Sequence, residues 1–342
     1  MDAQAHPTER YRTLDYHTAG EPFRIVVSGV PELPGRTVAD RRAFAMNNPA
    51  VQRIRALLCS EPRGHADMYG GFLTPPNDEG ADVGVLFWHK DGFSTACGHG
   101  TIALGVWAVQ TGLVRAPTEG SVDVTVDVPS GRVRARVRMS GGRVADVAFV
   151  NVPSWVHARD VVVPLPQGPV TVDIAYGGAM YAVLPAATVG LQVRPQDYAA
   201  LIDAGRAIRA ALNAAGAAQH PYDPRLSGIY GTILTGPGDS GDDLHRRNVT
   251  VFADGEVDRS PCGSGTAAVV ALLDARGELP DAAVLRHESI VGTVFTARVV
   301  ERDLVDGHPA VVPEVTGTAY RVGSAEFTVD PDDPLVPGFV LR

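Results

Sequence analysis

The pentapeptide C-G-x-G-T occurs twice in this chain of 342 residues, at 97–101 and again at 262–266. An apolar, helix-like segment follows each copy, and a glycine stands at the same distance beyond each cysteine, at Gly112 and Gly277. Glycine most readily takes the left-handed conformation that ends a helix. The repeat therefore predicts two related halves, each built around a short buried helix that starts at a cysteine.

Short strand-like segments fill most of the remaining chain. Several alternate apolar and polar residues, as half-buried strands do; these segments are 23–29, 81–89, 122–139, 144–154, 248–255 and 309–330. Further helical patterns occur at 37–60, with a break near Pro49, and at 195–215, which is amphipathic. This mixture predicts an α+β fold with mostly antiparallel sheet.

The two repeated cysteines, Cys97 and Cys262, would meet in a cleft if the two halves face one another. A helix N-terminus presents unpaired N–H groups and a partial positive charge, which lower the pKa of a nearby thiol and bind a carboxylate. A carboxylate held by both helix starts places its α-carbon between the sulfurs. One thiolate could then remove the α-proton while the opposite thiol donates one, without a cofactor or a metal.

Other roles for these residues stay open at this point. Cys59 is typical of a small core residue. Cys97, His99 and Cys262 could hold zinc, although no C-x-x-C spacing supports such a site. His99 could be purely structural, and Asp258 could cap a turn.

Charge and cysteine content limit the partners and the compartment. The formal net charge of −9 argues against nucleic acid or an anionic membrane as a partner. The basic run HRRN at 245–248 is typical of a solvated or structural patch. The N-terminus lacks the apolar segment of a signal peptide, no apolar stretch approaches the roughly 18 residues of a transmembrane helix, and three cysteines do not suggest a disulfide framework. These features predict a reduced, cytoplasmic protein that acts on a small molecule.

Two longer motifs carry a family resemblance. The segments GFSTACGHGTIALG and DGEVDRSPCGSGTAA resemble the two signature motifs of the proline racemase family, and the likeness extends through DYHTAGEPFRIVVSG and EPRGHADMYGGFL. The resemblance implies a diaminopimelate-epimerase-like fold, in which two pseudo-symmetric domains each wrap a mostly antiparallel sheet around a central helix. It also implies a homodimer that needs no cofactor.

The resemblance assigns roles to residues within or just before the two pentapeptides. The acid and base positions are Cys97 and Cys262. Backbone groups that would hold the substrate carboxylate belong to Gly98, His99, Gly263 and Ser264. His99 and Asp258 would face the ring nitrogen of the substrate.

The predicted domains place one cysteine in each half of the molecule. The N-terminal domain comprises residues 1–165 plus about 320–342 and carries Cys97. The C-terminal domain comprises residues 166–319 and carries Cys262. We expect the active site in the cleft between them.

Different features of the sequence favour different branches of the family. Two thiols on opposite faces are what inversion at the α-carbon needs, and the family's dehydratases often carry threonine where this chain has Cys262. The segments at 61–70 and 84–100 nevertheless resemble the dehydratases, and Ser94 and Thr95 could bind a 3-hydroxyl or cap the helix. We favour dehydration of trans-3-hydroxy-L-proline to Δ1-pyrroline-2-carboxylate, with 4-hydroxyproline 2-epimerase or proline racemase as the alternative.

Functions of another class also fit part of the pattern. Cys97 could be the nucleophile of a thiol hydrolase or transferase, with His99 as its base. Residues two apart at a helix start usually point in different directions, which argues against that pairing. A non-catalytic binding protein on the same fold is the remaining alternative, and two intact cysteines argue against it.

Overall fold

The computed structural model describes residues 9–305 and 307–341. Residues 1–8 and 342, which belong to the predicted N-terminal domain, lie outside the described residues. The described chain forms five α-helices: α1 Val38–Asn47, α2 Pro49–Cys59, α3 Gly98–Thr111, α4 Tyr198–Ala214 and α5 Gly263–Ala275. The strands of its first half are β1 Arg10–Thr18, β2 Glu21–Ser28, β3 Gly70–Thr74, β4 Val83–His89, β5 Gly92–Phe93, β6 Gly120–Val128, β7 Gly131–Ser140, β8 Arg143–Val150 and β9 Ser154–Val163. Those of its second half are β10 Val170–Tyr176, β11 Met180–Pro185, β12 Ile229–Pro237, β13 His245–Phe252, β14 Glu256–Asp258, β15 Leu285–Ser289, β16 Val294–Val305, β17 His308–Gly317 and β18 Ala319–Thr328.

The helices outside the repeat follow the predicted patterns. The break near Pro49 is confirmed, because α1 ends at Asn47 and Asn48 caps α2 by accepting from the N–H groups of Ala50 and Val51. The amphipathic helix predicted at 195–215 is confirmed as α4, which has 17 residues. None of the described helices is both long and apolar enough to cross a bilayer.

Both halves of the chain repeat one order of strand pairing. In the first half β2 pairs parallel with β3, β3 antiparallel with β4, and β4 parallel with β6, before β6, β7 and β8 form a meander. In the second half β11, β12, β13 and β15 repeat the same three pairings, and β15, β16 and β17 form the equivalent meander. The α+β prediction with mostly antiparallel sheet is confirmed.

The last strand of each half pairs with the other half's first strand. Antiparallel pairing joins β9 to β10 and β18 to β1, and β8 also pairs with β17. The division into two domains stays a prediction.

The two repeat helices, α3 and α5, are the buried centres of the two halves. Every residue from Gly98 to Ala108 is buried, and so is every residue from Gly263 to Leu273. The predicted helix ends are confirmed, since Gly112 (φ 77°) and Gly277 (φ 70°) both take the left-handed conformation.

The N-termini of α3 and α5 meet backbone to backbone. A Cβ atom built on Gly98 would lie 2.5 Å from the Cα of Gly263, and one built on Gly263 would lie 2.6 Å from the Cα of Gly98. No side chain fits between the two helix starts. Glycine is therefore required at both positions by close packing.

We expect Gly98→Ala to destabilise the protein. Alanine normally favours a helix over glycine by about 1 kcal/mol, but here the new methyl group would force the two helix starts apart. Overpacking of this kind costs about 1–3 kcal/mol, so the melting temperature should fall. Gly323→Ala is the control, because a Cβ there meets nothing within 4 Å. A Gly98→Ala melting temperature equal to the wild-type value would refute the contact.

Candidate active site

Both repeated cysteines face one small cavity lined mostly by buried residues. Its volume is about 10 Å³, roughly the space that one water molecule needs. It is lined by six of the seven residues predicted for the site: Cys97, Gly98, His99, Asp258, Cys262 and Ser264. The seventh, Gly263, contacts Gly98 at its edge. The structure thus brings the predicted residues together.

Each cysteine is the N-cap of its helix. Cys97 is extended (φ −156°), and its Sγ accepts from the N–H of Gly100 at 3.2 Å. Cys262 stands in the left-handed region (φ 64°), a strained conformation for a residue with a Cβ, costing roughly 1–3 kcal/mol. Unlike Cys97, the Cys262 side chain makes no cap hydrogen bond. The predicted placement of both thiols at helix starts is confirmed.

The expected low pKa values of the two thiols are not found in this cavity. Burial raises the pKa of both Cys97 and Cys262, and the carboxylate of Asp258 raises both further. The N–H groups of Gly100 and Gly265 act in the opposite direction. The prediction of available thiolate near neutral pH is wrong for this state, because loss of solvation outweighs the helix N-terminus.

His99 and Asp258 lie beside the thiols from opposite halves of the chain. The Nδ1 of His99 is 3.6 Å from one Asp258 oxygen. The other oxygen accepts from the backbone N–H and the hydroxyl of Ser260, at 2.8 and 2.6 Å. Asp258 therefore orders its turn with one oxygen and presents the other to the cavity.

Cys97 and His99 do touch, contrary to the expectation that they diverge. The Sγ of Cys97 lies 3.5 Å from both ring nitrogens of His99. Since the two lone-pair directions of an imidazole point apart, a sulfur equidistant from both nitrogens is aligned with neither. This contact does not have the geometry of a nucleophile and its general base.

The first-turn N–H groups of the two helices converge at the cavity. N–H groups in the first turn of an α-helix have no partner within the helix. Here they belong to Gly98 and His99 of α3 and to Gly263 and Ser264 of α5, whose starts face each other. The Ser264 hydroxyl also pairs with the phenol of Tyr181 at 2.7 Å. Together the two dipoles create a place for a carboxylate.

Three tyrosines complete the cavity, Tyr69 and Tyr181 buried and Tyr230 half-buried, and the sequence analysis missed them. Besides Ala96, Thr250 and Phe252, the remaining lining residues are Tyr69, Tyr181 and Tyr230. Burial raises the pKa of each phenol, so all three are neutral donors at neutral pH. They lie far apart in the chain. Of the three, only Tyr69 stands in a segment with a family resemblance, EPRGHADMYG.

The two hydroxyls before α3 have different roles. The Ser94 hydroxyl hydrogen bonds to the phenol of Tyr69. The Thr95 hydroxyl donates to the carbonyl of Gly178 at 2.9 Å, and Thr95 does not line the cavity. Neither residue caps α3, because Cys97 does.

Two further sequence features are structural. Cys59 is buried, and its Sγ donates to the carbonyl of Met68 at 3.3 Å, which confirms it as a core residue. In the run 245–248, Arg247 pairs with Glu288 and Asp239, and His245 also contacts Glu288. That run is an ion-pair network at the β13–β15 pairing.

Cys97, His99 and Cys262 do not bring three potential metal-binding atoms close together in the described structure. Within residues 9–305 and 307–341, only His89, Asp91 and Glu256 bring three potential metal-binding atoms close together. There the ammonium of Lys90 lies 2.7 Å from Asp91 and 3.9 Å from Glu256. A lysine already supplies the positive charge in that cluster.

Contacts between the two halves surround the cavity. Arg259 pairs with Asp67 at 2.6 Å, and its backbone N–H donates to Glu21 at 2.8 Å. On another side His89 contacts Glu256 at 3.0 Å.

Comparisons with known proteins agree with this geometry. Residues 13–340 match the proline racemase family, and the chain belongs to that family. A protein of Burkholderia multivorans named 3-hydroxyproline 2-epimerase is 48% identical over 96% of this chain and 98% of its own. One of Burkholderia ambifaria named trans-3-hydroxy-L-proline dehydratase is also 48% identical, with the same coverage of both chains. The crystal structure of a hydroxyproline epimerase from Agrobacterium vitis with bound trans-4-hydroxy-L-proline superimposes with a TM-score of 0.91, at 30% identity over 97% of this chain and 96% of that one. The predicted family and fold are confirmed.

We expect Asp258→Asn to lower the pKa of the Cys97 and Cys262 thiols. The substitution removes the negative charge that raises both values, and the amide oxygen can still accept from Ser260. Thiolate absorbance near 240 nm should therefore rise at lower pH than in the wild type. Asp146→Asn is the control, since Asp146 is paired with Arg138 away from the cavity. An unchanged or higher midpoint in Asp258→Asn would contradict the assigned electrostatics.

Proposed function

We propose that this protein dehydrates trans-3-hydroxy-L-proline to Δ1-pyrroline-2-carboxylate, with Cys97 removing the α-proton. The observation that carries the proposal is the pair of facing helix N-termini, each starting at a cysteine that faces the shared cavity. The substrate is supported by relatives named trans-3-hydroxy-L-proline dehydratase, at 48% identity in Burkholderia ambifaria and 47% in Azospirillum brasilense.

The substrate's charges fit those of the site. The carboxylate would bind the first-turn N–H groups of both helices, and the ring ammonium would lie against Asp258 and His99. A bound ammonium neutralises the Asp258 charge that disfavours thiolate at Cys97. Substrate binding would thus lower the thiol's pKa at the moment when the base is needed.

Stereochemistry explains why one thiol suffices for dehydration. In trans-3-hydroxy-L-proline the hydroxyl lies opposite the carboxylate, on the same ring face as the α-hydrogen. Cys97 would lie on that face of the ring, so the α-proton and the hydroxyl would leave from the same side. The N–H groups that hold the carboxylate would stabilise the negative charge that develops on it.

A second candidate is inversion at the α-carbon. Cys262 supplies the proton donor that inversion needs on the other face, and a relative with 48% identity is named 3-hydroxyproline 2-epimerase. Epimerisation of 4-hydroxyproline and racemisation of proline use the same pair of thiols and remain the alternatives predicted from the sequence.

We further propose a cytoplasmic homodimer whose protomer has two domains with the active site between them. Three free cysteines favour a reducing compartment. Exposed apolar side chains on β9, β16 and β18 favour association: Val162, Leu304, Tyr320 and Val322. Light scattering on the purified protein measures the oligomeric state directly, and the mass of a monomer would reject the dimer.

The direct test is to incubate the protein separately with trans-3-hydroxy-L-proline, trans-4-hydroxy-L-proline and L-proline. We expect Δ1-pyrroline-2-carboxylate from the first substrate, detected by NMR. A change in optical rotation without the cyclic imine would identify an epimerase or racemase instead. No reaction with any of the three would reject both candidates.

We expect Cys97→Ser to abolish every activity. A serine hydroxyl is far less acidic than a thiol, so no useful base remains near neutral pH, and a fall of at least 10²–10⁴ is typical of a lost general base. Cys59→Ser serves as the control, because Cys59 does not line the cavity. Turnover by Cys97→Ser within tenfold of wild type would remove Cys97 from its assigned role.

Cys262→Thr should separate the two candidate reactions. Dehydration uses the face that Cys97 attends and should stay within about tenfold, whereas inversion should fall by roughly 10²–10⁴ because threonine is a poor acid. Rates of cyclic imine formation and of epimer formation are measured side by side. Equal loss of both would show that dehydration also needs Cys262, and would end the single-face mechanism.

A further inference from the structure

A chain of hydroxyls lies on the Cys97 side of the cavity and has no assigned role. The Tyr69 phenol is hydrogen-bonded to the Ser94 hydroxyl and lies 3.4 Å from the phenol oxygen of Tyr230. Its ring packs edge-on against His99, with 5.0 Å between ring centroids. All of these side chains except that of Ser94 line the same cavity as the two thiols.

The Tyr69 phenol is close to Cys97. Both side chains line the same small cavity, and the Tyr69 hydroxyl lowers the pKa of Cys97. The third tyrosine, Tyr181, is instead bonded to Ser264 at the start of α5, on the Cys262 side. The cavity therefore has a different phenol beside each helix start, and Tyr69 belongs to the face from which the α-proton would leave.

Elimination from that face needs a proton donor. A hydroxide ion is a poor leaving group unless a proton reaches it as the C–O bond breaks. If Cys97 alone served, one sulfur would have to accept the α-proton and deliver it to the hydroxyl within a single step. Tyr69 is a neutral donor already placed beside Cys97.

We propose that Tyr69, positioned by Ser94, hydrogen bonds to the 3-hydroxyl of the substrate and donates the proton that leaves with it as water. This inference rests on the proposed dehydratase function and names the group that separates dehydration from inversion at the same site. Ser94 acts through Tyr69, as a positioning residue.

The proposed reaction balances its protons and electrons with groups of the site alone. The thiolate of Cys97 takes the α-proton, and the C–H electron pair becomes the C2–C3 double bond as the C3–O bond breaks. The departing oxygen takes the phenol proton of Tyr69 and leaves as water. The new thiol of Cys97 returns its proton to the adjacent phenolate, and the released enamine tautomerises to Δ1-pyrroline-2-carboxylate.

Tyr69→Phe tests the inference through the ratio of two products. Without the donor, the α-carbanion cannot expel hydroxide and is protonated by Cys262 on the other face, giving the 2-epimer. Dehydration of trans-3-hydroxy-L-proline should fall about 10²–10⁴-fold, while the 2-epimer, carrying deuterium in D₂O, becomes the main product. Ser94→Ala should also lower the ratio of cyclic imine to 2-epimer, by about tenfold.

Tyr16→Phe is the matched control for loss of a buried phenol. The Tyr16 hydroxyl donates to Gln110 at 2.9 Å, outside the cavity, so its product ratio should equal that of the wild type. Melting temperatures of all variants are measured alongside the products.

Each outcome decides between the two proposals. A wild-type protein that forms no cyclic imine rejects the dehydratase function itself. If the wild type dehydrates and Tyr69→Phe retains dehydration within fivefold, Tyr69 is not the donor. If Tyr69→Phe loses dehydration and epimer formation equally, the phenol supports Cys97 instead, and the inference is overturned. Should Tyr69→Phe fail to fold, an unchanged product ratio in Ser94→Ala overturns it.

Discussion

The contact between Gly98 and Gly263 is the constraint on which the rest of the site depends. Two helices that start at the same point bring four unpaired N–H groups and two thiols into one small volume. A single methyl group at either glycine would separate them. The repeated sheets can be understood as the frame that holds two buried helices in this end-to-end arrangement, since each half wraps its strands around one of them.

The closeness of this arrangement has an electrostatic consequence. The helix starts favour thiolate, but the burial that the tight contact produces disfavours it more strongly, and Asp258 adds a negative charge. A group that is deactivated by burial and by a neighbouring carboxylate becomes reactive when a cation is placed beside it. The site is thus suited to a zwitterion, whose carboxylate matches the helix starts and whose ammonium matches Asp258.

Pairing between end strands joins the two halves around the cavity. Strands of the two halves pair directly, β9 with β10, β18 with β1, and both β8 and β9 with β17. These pairings join the strands of both halves into one continuous sheet. Ion pairs such as Arg259 with Asp67 add to these contacts.

The sequence by itself determined the two cysteines, the helices that follow them, the class of fold and the family, because these depend on local patterns that repeat along the chain. It also indicated Asp258 and His99, which stand within the same motifs. Only the tertiary structure decided the partners of those residues. Tyr69, Tyr181 and Tyr230 come from separate strands and loops, and their convergence depends on long-range pairing that no local pattern records. The same is true of the thiol pKa values: the helix N-terminus is a local feature, whereas burial is a property of the whole fold and outweighs it.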